Sequence, residues 1–249
     1  MFPNLKQAYN QLQFYRKALN SKGHGTHSPF VYTFITEVLN DDRHYYAYDE
    51  IHDLKKELLF DKTKILQNQK ETSFSELTKK ALSDKYNRLL FRIVAYHNPK
   101  NILEIGCTSG ITTSFIASPN KSTPVYSIAA SETIANTAVN NIKTLALENV
   151  FITSLDKNDK LREIIKQPFD LIFINQAIGD ISQYLQLTSL INEDAIVIFK
   201  DINKDLEIVK SWNMMKSIES TTISIDLFSL GIVFFKKEQL KKQHFAIRF

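Results

Sequence analysis

The sequence changes its pattern at Asn101, and this change constrains the fold more than any other feature. From there on, short apolar runs rich in β-branched residues alternate with stretches of helical period. Seven runs have strand length, and they are residues 102–105, 125–128, 150–153, 171–174, 195–199, 221–226 and 232–235. Apolar strands that alternate with helices form βαβ units with right-handed crossovers. The pattern therefore predicts an α/β fold with a doubly wound, mostly parallel sheet.

The last two predicted strands are joined only by the segment from Leu227 to Gly231. Because a parallel crossover needs about a dozen residues or more, these two strands are expected to form an antiparallel hairpin. We therefore predict a sheet of seven strands, in which five parallel strands are followed by a hairpin at one edge.

Residues 1–98 have the pattern of helices separated by turn signals. Ser28-Pro29, for example, is typical of a helix N-cap followed by proline at the first helical position. The polar stretch 61–72 is predicted to be a flexible connector. We accordingly divide the chain into an α-helical N-terminal region, residues 1–98, and an α/β domain, residues 99–249.

Charge and composition narrow the class of protein. The net charge is +4, from 31 basic and 27 acidic residues. Because the two signs are interspersed, this balance argues against a nucleic-acid partner. The single cysteine, Cys107, excludes an intrachain disulfide framework. The sequence opens without a signal-peptide pattern, and its apolar runs stay well below the ~20 residues of a membrane helix. We expect a cytoplasmic protein without a membrane partner, and the sequence leaves oligomerisation open.

Two of the six glycines follow the first predicted strand, in the spacing Glu104-x-Gly106-x-x-x-Gly110. Gly106 lets the backbone turn sharply off the strand, and Gly110 lets the next helix start close to a ligand. Thr108 stands where the dinucleotide fingerprint requires its middle glycine, which disfavours an NAD-binding turn. An acid before the first glycine suits a ligand that carries a cationic amine or sulfonium group.

This segment resembles the first motif of class I S-adenosylmethionine (SAM)-dependent methyltransferases, in the branch of small-molecule O-methyltransferases. Three other stretches, residues 24–31, 225–235 and 247–249, resemble a bacterial group within that superfamily. The resemblance covers nearly the whole chain and implies a Rossmann-like fold, SAM as the cofactor and methyl transfer as the reaction. The cofactor-binding residues that it implies are Glu104, Gly106, Cys107, Thr108, Ser109, Gly110, Ala129 and Asn175.

Several of these residues also have a purely structural interpretation. Gly106 and Gly110 would form a tight strand-to-helix turn in any protein of this topology. Glu104 could serve as a partner of backbone N–H groups or of a helix dipole. Cys107 fits the role of a small buried residue better than that of a reactive thiol.

Three acidic positions that the resemblance implies are replaced in this chain. The second strand should end in an acid that binds both ribose hydroxyls, but it runs into Ala129-Ala130. Two charge-assisted hydrogen bonds of about 1.5–3 kcal/mol each are thereby lost. The fourth strand ends in Asn175 and the fifth in Lys200-Asp201, where carboxylates for Mg²⁺ would be expected. We therefore predict no metal ligands and a metal-independent reaction.

The acid that remains at a strand end near the predicted site is Asp201, the candidate catalytic residue as general base or substrate contact. Its structural alternative is an N-cap of the following helix. Lys200 could neutralise Asp201, bind an anionic substrate or be solvated. His24 and His27 could reach over the sheet as part of a lid. The aromatic stretch 44–48 either lines a substrate pocket or packs against the sheet domain.

The leading hypothesis is transfer of a methyl group from SAM to an oxygen or nitrogen of a small-molecule acceptor. Residues 1–98 would then form a lid that shapes the acceptor pocket. The alternative is a catalytically silent binding or scaffold protein that retains the methyltransferase fold. Methylation of RNA or protein would need a basic face beside the cleft, which the charge distribution does not predict.

Overall fold

The computed structural model describes residues 5–19, 27–67, 70–157, 164, 168–178, 191–235 and 241–249. The N-terminal elements are α1 (Leu5–Lys17), α2 (Pro29–Phe34) with a π-helical turn (Ile35–Leu39), α3 (Tyr46–Phe60), β1 (Lys64–Gln67), β2 (Lys70–Ser73), α4 (Phe74–Lys79) and α5 (Asp84–His97). The elements that follow are β3 (Ile102–Cys107), α6 (Ile111–Ala117), β4 (Val125–Ala129), α7 (Glu132–Lys143), β5 (Val150–Ser154), β6 (Phe169–Ile174), β7 (Ile191–Lys200), α8 (Leu206–Ser217), β8 (Ile223–Asp226), β9 (Leu230–Phe234) and β10 (Gln243–Ala246).

The N-terminal region contains the predicted cap and one unexpected element. The Ser28 hydroxyl accepts a hydrogen bond from the Val31 amide, and Pro29 opens α2. The prediction of a flexible connector at residues 61–72 is wrong, since β1 and all but the last residue of β2 lie in that stretch and pair as a small antiparallel sheet. The opposite charges of Lys64 and Glu71, whose side chains lie 2.6 Å apart, help to hold this hairpin together.

The main sheet has the order β10-β8-β9-β7-β6-β3-β4-β5. Strands β3 to β7 are mutually parallel, and β9 is antiparallel to both β7 and β8. The predicted α/β fold with a mostly parallel sheet and a terminal hairpin is confirmed. The predicted count of seven strands is not, because β10 adds an eighth strand parallel to β8. This run of four residues follows the lysine-rich stretch 236–242, whose residues 236–240 lie outside the described part of the chain.

The two faces of the sheet pack against different elements. Alternate strand residues, among them Ile102, Phe173 and Ile198, join α2 and α5 in one apolar core. The residues between them, such as Leu103 and Val197, join α8 in a second core. Because strand side chains alternate between the faces, the parity of a position tells which core it belongs to.

Strand register aligns the carboxyl ends of the parallel strands at one edge of the sheet. Ile105 of β3 is paired with Ile174 of β6, and Ile174 is paired with Phe199 of β7. Gly106, Asn175 and Lys200 therefore follow neighbouring positions. The chain order reverses between β3 and β6, and in open α/β sheets such a switch point is where ligands bind.

The first helix is attached to parts of the chain that come much later in the sequence. Leu19 forms a parallel bridge with Ile247, and its amide donates to the Ala246 carbonyl at 2.8 Å. The rings of Phe14 in α1 and Phe228 in the β8–β9 turn lie 5.4 Å apart. Among the described residues, no helix is long and apolar enough to span a membrane.

Candidate functional site

Glu104 lies at the centre of the carboxyl edge and is completely buried. Its Oε2 atom accepts hydrogen bonds from the hydroxyls of Thr113 at 2.5 Å and Ser127 at 2.8 Å. Its Oε1 atom accepts a hydrogen bond from the Asn175 amide at 3.0 Å. The described partners of the carboxyl are thus side chains from β4, α6 and the end of β6, and not the backbone N–H groups of the structural alternative.

The burial of this cluster changes the acidity of two groups. Burial raises the pKa of Glu104, while the hydrogen bonds from Thr113, Ser127 and Asn175 oppose that shift. Burial and the nearby Glu104 carboxyl raise the pKa of the Cys107 thiol to about 12. Cys107 is therefore a protonated, buried side chain at neutral pH and not a reactive thiolate.

Both glycines of the motif have backbone conformations that favour glycine. Gly106 has φ +91°, and a Cβ atom there would lie 2.6 Å from backbone atoms of Gln176. Gly110 has φ +84°, and a Cβ atom there would lie 3.2 Å from the Ala138 carbonyl in α7. Tight packing within the chain is therefore sufficient to explain both glycines.

Hydroxyl side chains surround Gly110 at the start of α6. Ser109 and Thr112 are buried, and neither hydroxyl oxygen has a hydrogen-bond partner among the described residues. The Ser109 carbonyl accepts a hydrogen bond from the Asn141 amide of α7 at 2.8 Å, which holds the turn in place. Buried hydroxyls without partners are costly, and they are common where a ligand or an ordered water supplies the missing hydrogen bond.

The end of β4 is closed by apolar packing. Ala129 is 0% exposed and forms a small core with Cys107 and with Ile134, Ala135 and Ala138 of α7. Ser131, two residues further on, caps α7 by accepting a hydrogen bond from the Ile134 amide. At the position where the resemblance implies a ribose-binding acid, the structure therefore has a packed methyl group.

A cavity of about 410 Å³ opens at the ends of β3, β6 and β7. Its floor includes Thr108, Asn175 and Lys200, which come from these three strand ends. The segment between α4 and α5 covers it, since residues 79–83 and Tyr86 also line the cavity. The volume lies in the range of small-molecule sites.

The end of β7 presents two charged side chains to this cavity. The Lys200 ammonium donates to the Lys80 carbonyl at 2.6 Å and lies 3.9 Å from the Asp201 carboxylate. Burial lowers the pKa of Lys200, and the Asp201 charge opposes that shift. Asp201 has φ +59°, an uncommon conformation for an aspartate. The N-cap interpretation of Asp201 is wrong, because the cap of α8 is Asp205.

The remaining candidates lie away from this cavity. Tyr48 is 2% exposed, and its ring packs against Phe91 and Phe115, so this residue of the aromatic stretch has a packing role, whereas Tyr46 is 91% exposed. His27 is exposed, whereas His24 lies outside the described residues. In the described part of the chain, no group of three or more His, Cys, Asp or Glu side chains is placed to hold a metal ion.

Sequence analysis missed the residues that complete the site. Ser127, a polar residue within the apolar strand β4, was a usable signal for a buried polar partner. Thr113 lies one turn into α6, where side chains can reach back to the preceding strand. The cavity lining at residues 79–83 carries no comparable signal, because the contact depends on how the N-terminal region packs on the sheet.

A family model described as "Protein-L-isoaspartate(D-aspartate) O-methyltransferase (PCMT)" matches residues 53–208 of the chain. The match spans more than half of the sequence. It begins within α3, passes through the glycine motif, and ends in the first turn of α8.

Solved methyltransferase structures share the fold. A methyltransferase from Podospora anserina, bound to S-adenosylhomocysteine (SAH), superposes with a TM-score of 0.60 at 12% identity, covering 95% of this chain and 99% of its own. An O-methyltransferase from Bacillus cereus in complex with SAH gives 0.56 at 17% identity, covering 82% of this chain and 97% of its own. An O-methyltransferase from Streptomyces achromogenes, involved in tomaymycin synthesis and bound to SAM, superposes with a TM-score of 0.56 at 15% identity. The match covers 83% of this chain and 95% of that structure.

Proposed function

We propose that this chain, which belongs to the protein-L-isoaspartate (D-aspartate) O-methyltransferase family, methylates a small molecule at an oxygen or nitrogen atom, with SAM as the methyl donor and no metal ion. The observation that carries the proposal is the cavity of about 410 Å³ at the carboxyl edge, which Thr108 and Asn175 both line. A switch point in an open α/β sheet is where ligands of this size bind.

The residues around Gly110 fit the methionine end of the cofactor. The Ser109 and Thr112 hydroxyls are buried without described partners, as expected for groups that would bind a polar ligand. Thr108 and Asn175 line the cavity beside them, and the Asn175 amide is held by Glu104. Glu104, Gly106, Cys107 and Gly110 would shape this end of the site, with Glu104 placing a carboxyl group near a cationic ligand.

Bound SAM would supply an electrophilic methyl group, whose carbon–sulfur electron pair stays with sulfur on transfer. The chain would contribute alignment, which can supply several kcal/mol of the barrier. Residues 1–98 would act as the lid, since residues 79–83 cover the cavity. Asp201 at the cavity wall would be the general base or a substrate contact.

Metal independence is supported by the chemistry of the strand ends. Asn175 and Lys200 stand at the ends of β6 and β7, where a Mg²⁺ site would need carboxylates. An ammonium group repels a cation and cannot act as its ligand. The acceptor would therefore be positioned by side chains of this chain.

One observation favours the alternative of a catalytically silent scaffold. The ribose position at Ala129 is packed with apolar side chains of α7. A scaffold of this kind would have no measurable affinity for SAM.

Isothermal titration with SAM and SAH separates the two functions, and Thr112→Val is the informative variant. Valine has nearly the same shape as threonine, and the Thr112 hydroxyl has no described partner, so folding stability should be unchanged or higher. If the hydroxyl binds the cofactor, SAH affinity should fall about tenfold. Thr78→Val is the matched control, because Thr78 also has a buried hydroxyl without a described partner. Undetectable binding to folded wild type would favour the scaffold.

A further inference from the structure

Among the described lysines that line the cavity, Lys200 is the least exposed, and the reaction proposed above gives it no role. Its side chain is 11% exposed. An ammonium group has three N–H donors. In the described residues one donor is used by the Lys80 carbonyl at 2.6 Å, and the Asp201 carboxylate at 3.9 Å is beyond hydrogen-bond distance. Donors of Lys200 are therefore left for a ligand in the cavity.

Lys200 lies beside the residues assigned to the cofactor. It follows Phe199, which is paired with Ile174, so Lys200 and Asn175 are neighbours at the ends of adjacent strands. Strand parity places Lys200 on the same face as Glu104 and Asn175. Both Lys200 and Asn175 line the cavity.

The charges around the cavity favour an anion. Among the described residues, the charged side chains of the lining are four lysines and two aspartates, namely Lys79, Lys80, Lys200, Lys204, Asp201 and Asp205. Asp205 is occupied with the amides of Glu207 and Ile208, and Asp201 lies 3.3 Å from Lys204. The excess of positive charge, together with poor hydration of Lys200, makes an anionic group the ligand of lowest free energy there.

We propose that Lys200 binds an oxyanion of the methyl acceptor, a carboxylate or a phenolate, and holds it beside Asn175. This inference rests on the proposed methyl transfer. The anionic oxygen would donate a lone pair to the methyl carbon as the carbon–sulfur bond breaks and its electron pair stays on sulfur. The products are a neutral ester or ether and a neutral thioether, so the acceptor oxygen needs no proton removed during the step.

The test compares benzoate with benzamide, its uncharged analogue of similar shape, by calorimetric titration in the presence of SAH. Wild type should prefer benzoate by at least about tenfold, the ratio expected for one charge-assisted hydrogen bond. Lys200→Met should remove the preference, and Lys200→Arg should restore most of it. Lys210→Met is the matched control, because Lys210 is 72% exposed and outside the cavity lining, so the preference should remain.

A second measurement needs no variant. Benzoate should protect Lys200 of wild type from acetylation by acetic anhydride, read by mass spectrometry, while benzamide should not, and Lys210 should be acetylated equally in both. Equal affinity of wild type for benzoate and benzamide, or a preference that survives Lys200→Met, would overturn the proposal. Failure of SAH to bind, with the benzoate preference intact, would refute the cofactor assignment and leave the Lys200 site standing.

Discussion

The ends of β4 and β7 both lack an acid of the methyltransferase pattern, but the structure has replaced it in opposite ways. At the end of β4, Ala129 is fully buried against the apolar face of α7. At the end of β7, Lys200 and Asp201 face a cavity of about 410 Å³. The β4 end has become part of the core, whereas the β7 end has kept the features of a binding site.

This difference shows that the loss of an acidic motif residue can affect a binding site in more than one way. A missing acid that is replaced by packing removes a contact and closes the space for it. A missing acid that is replaced by a cation lining a cavity changes the charge of the ligand that fits. The two ends can therefore be tested separately.

The largest effect is expected for Ala129→Asp, which introduces at the end of β4 the acid that the methyltransferase pattern implies there. Because the site is apolar and fully buried, an unpaired carboxylate there should lower the free energy of unfolding by about 3–5 kcal/mol. SAH affinity should not increase. Chemical denaturation and calorimetry would measure both. Ala130→Asp is the control, because Ala130 is only partly buried and should lose much less. A stable Ala129→Asp protein with tighter SAH binding would show that the β4 end is open to ligand.

A second test probes the packing of β3 against β6. Gly106→Ala should destabilise the protein by about 2–4 kcal/mol, from backbone strain and overpacking together. The new Cβ atom would lie 2.6 Å from Gln176 backbone atoms, which cannot move as a side chain can. Gly110→Ala should cost less, because its nearest contacts are at 3.2 Å. Thermal and urea unfolding would measure the loss of stability in each variant. A larger loss for Gly110→Ala than for Gly106→Ala would contradict the packing explanation of Gly106.

The sequence was sufficient for most of the fold and for part of the site. Strand and helix periods placed all seven strands of the predicted sheet, because most of these strands are buried on both faces and leave a clear apolar signal. The β10 strand was missed because four residues at a sheet edge carry little periodicity. In the site, the replacements at Ala129, Asn175 and Lys200 were visible in the sequence. The sequence did not show that the β4 end would be packed by α7 while the β7 end would face a cavity covered by residues 79–83, because both depend on tertiary contacts.

A third test uses pH to examine the buried carboxyl between the two ends. Because burial raises the pKa of Glu104, the unfolded chain loses this proton at lower pH than the folded protein. Between those pKa values the unfolded state binds fewer protons, so stability from this group falls as pH rises. Glu104→Gln should therefore gain stability relative to wild type between about pH 5 and about pH 8.

The control for this third test is Glu207→Gln, since the Glu207 side chain is 56% exposed. Its stability difference from wild type should stay small, because the ion pairs of exposed carboxylates contribute little. Urea unfolding at both pH values measures each difference. A flat difference for Glu104→Gln would mean that the carboxyl titrates alike in the folded and unfolded chain.

The smallest expected effect concerns Asp201, the residue with positive φ at the end of β7. Asp201 has φ +59°, so Asp201→Gly should relieve strain and raise the free energy of unfolding by about 0.5 kcal/mol after the entropy of glycine is subtracted. Asp201→Asn, which tolerates this conformation, should leave stability nearly unchanged. Both variants should lower methyl transfer if Asp201 contacts the substrate. A loss of stability in Asp201→Gly would show that its ion pair with Lys204 outweighs the strain.

The bridge between Leu19 and Ile247 has a consequence for how the protein is made. The hydrogen bonds of Leu19 need residues 246–248, and the Phe14 ring needs Phe228. During synthesis from the N-terminus, α1 leaves the ribosome long before any of these residues exist. Although α1 emerges early, it is thus among the last of the described elements to dock, and the Phe14 ring lacks its Phe228 contact until residue 228 has been synthesised.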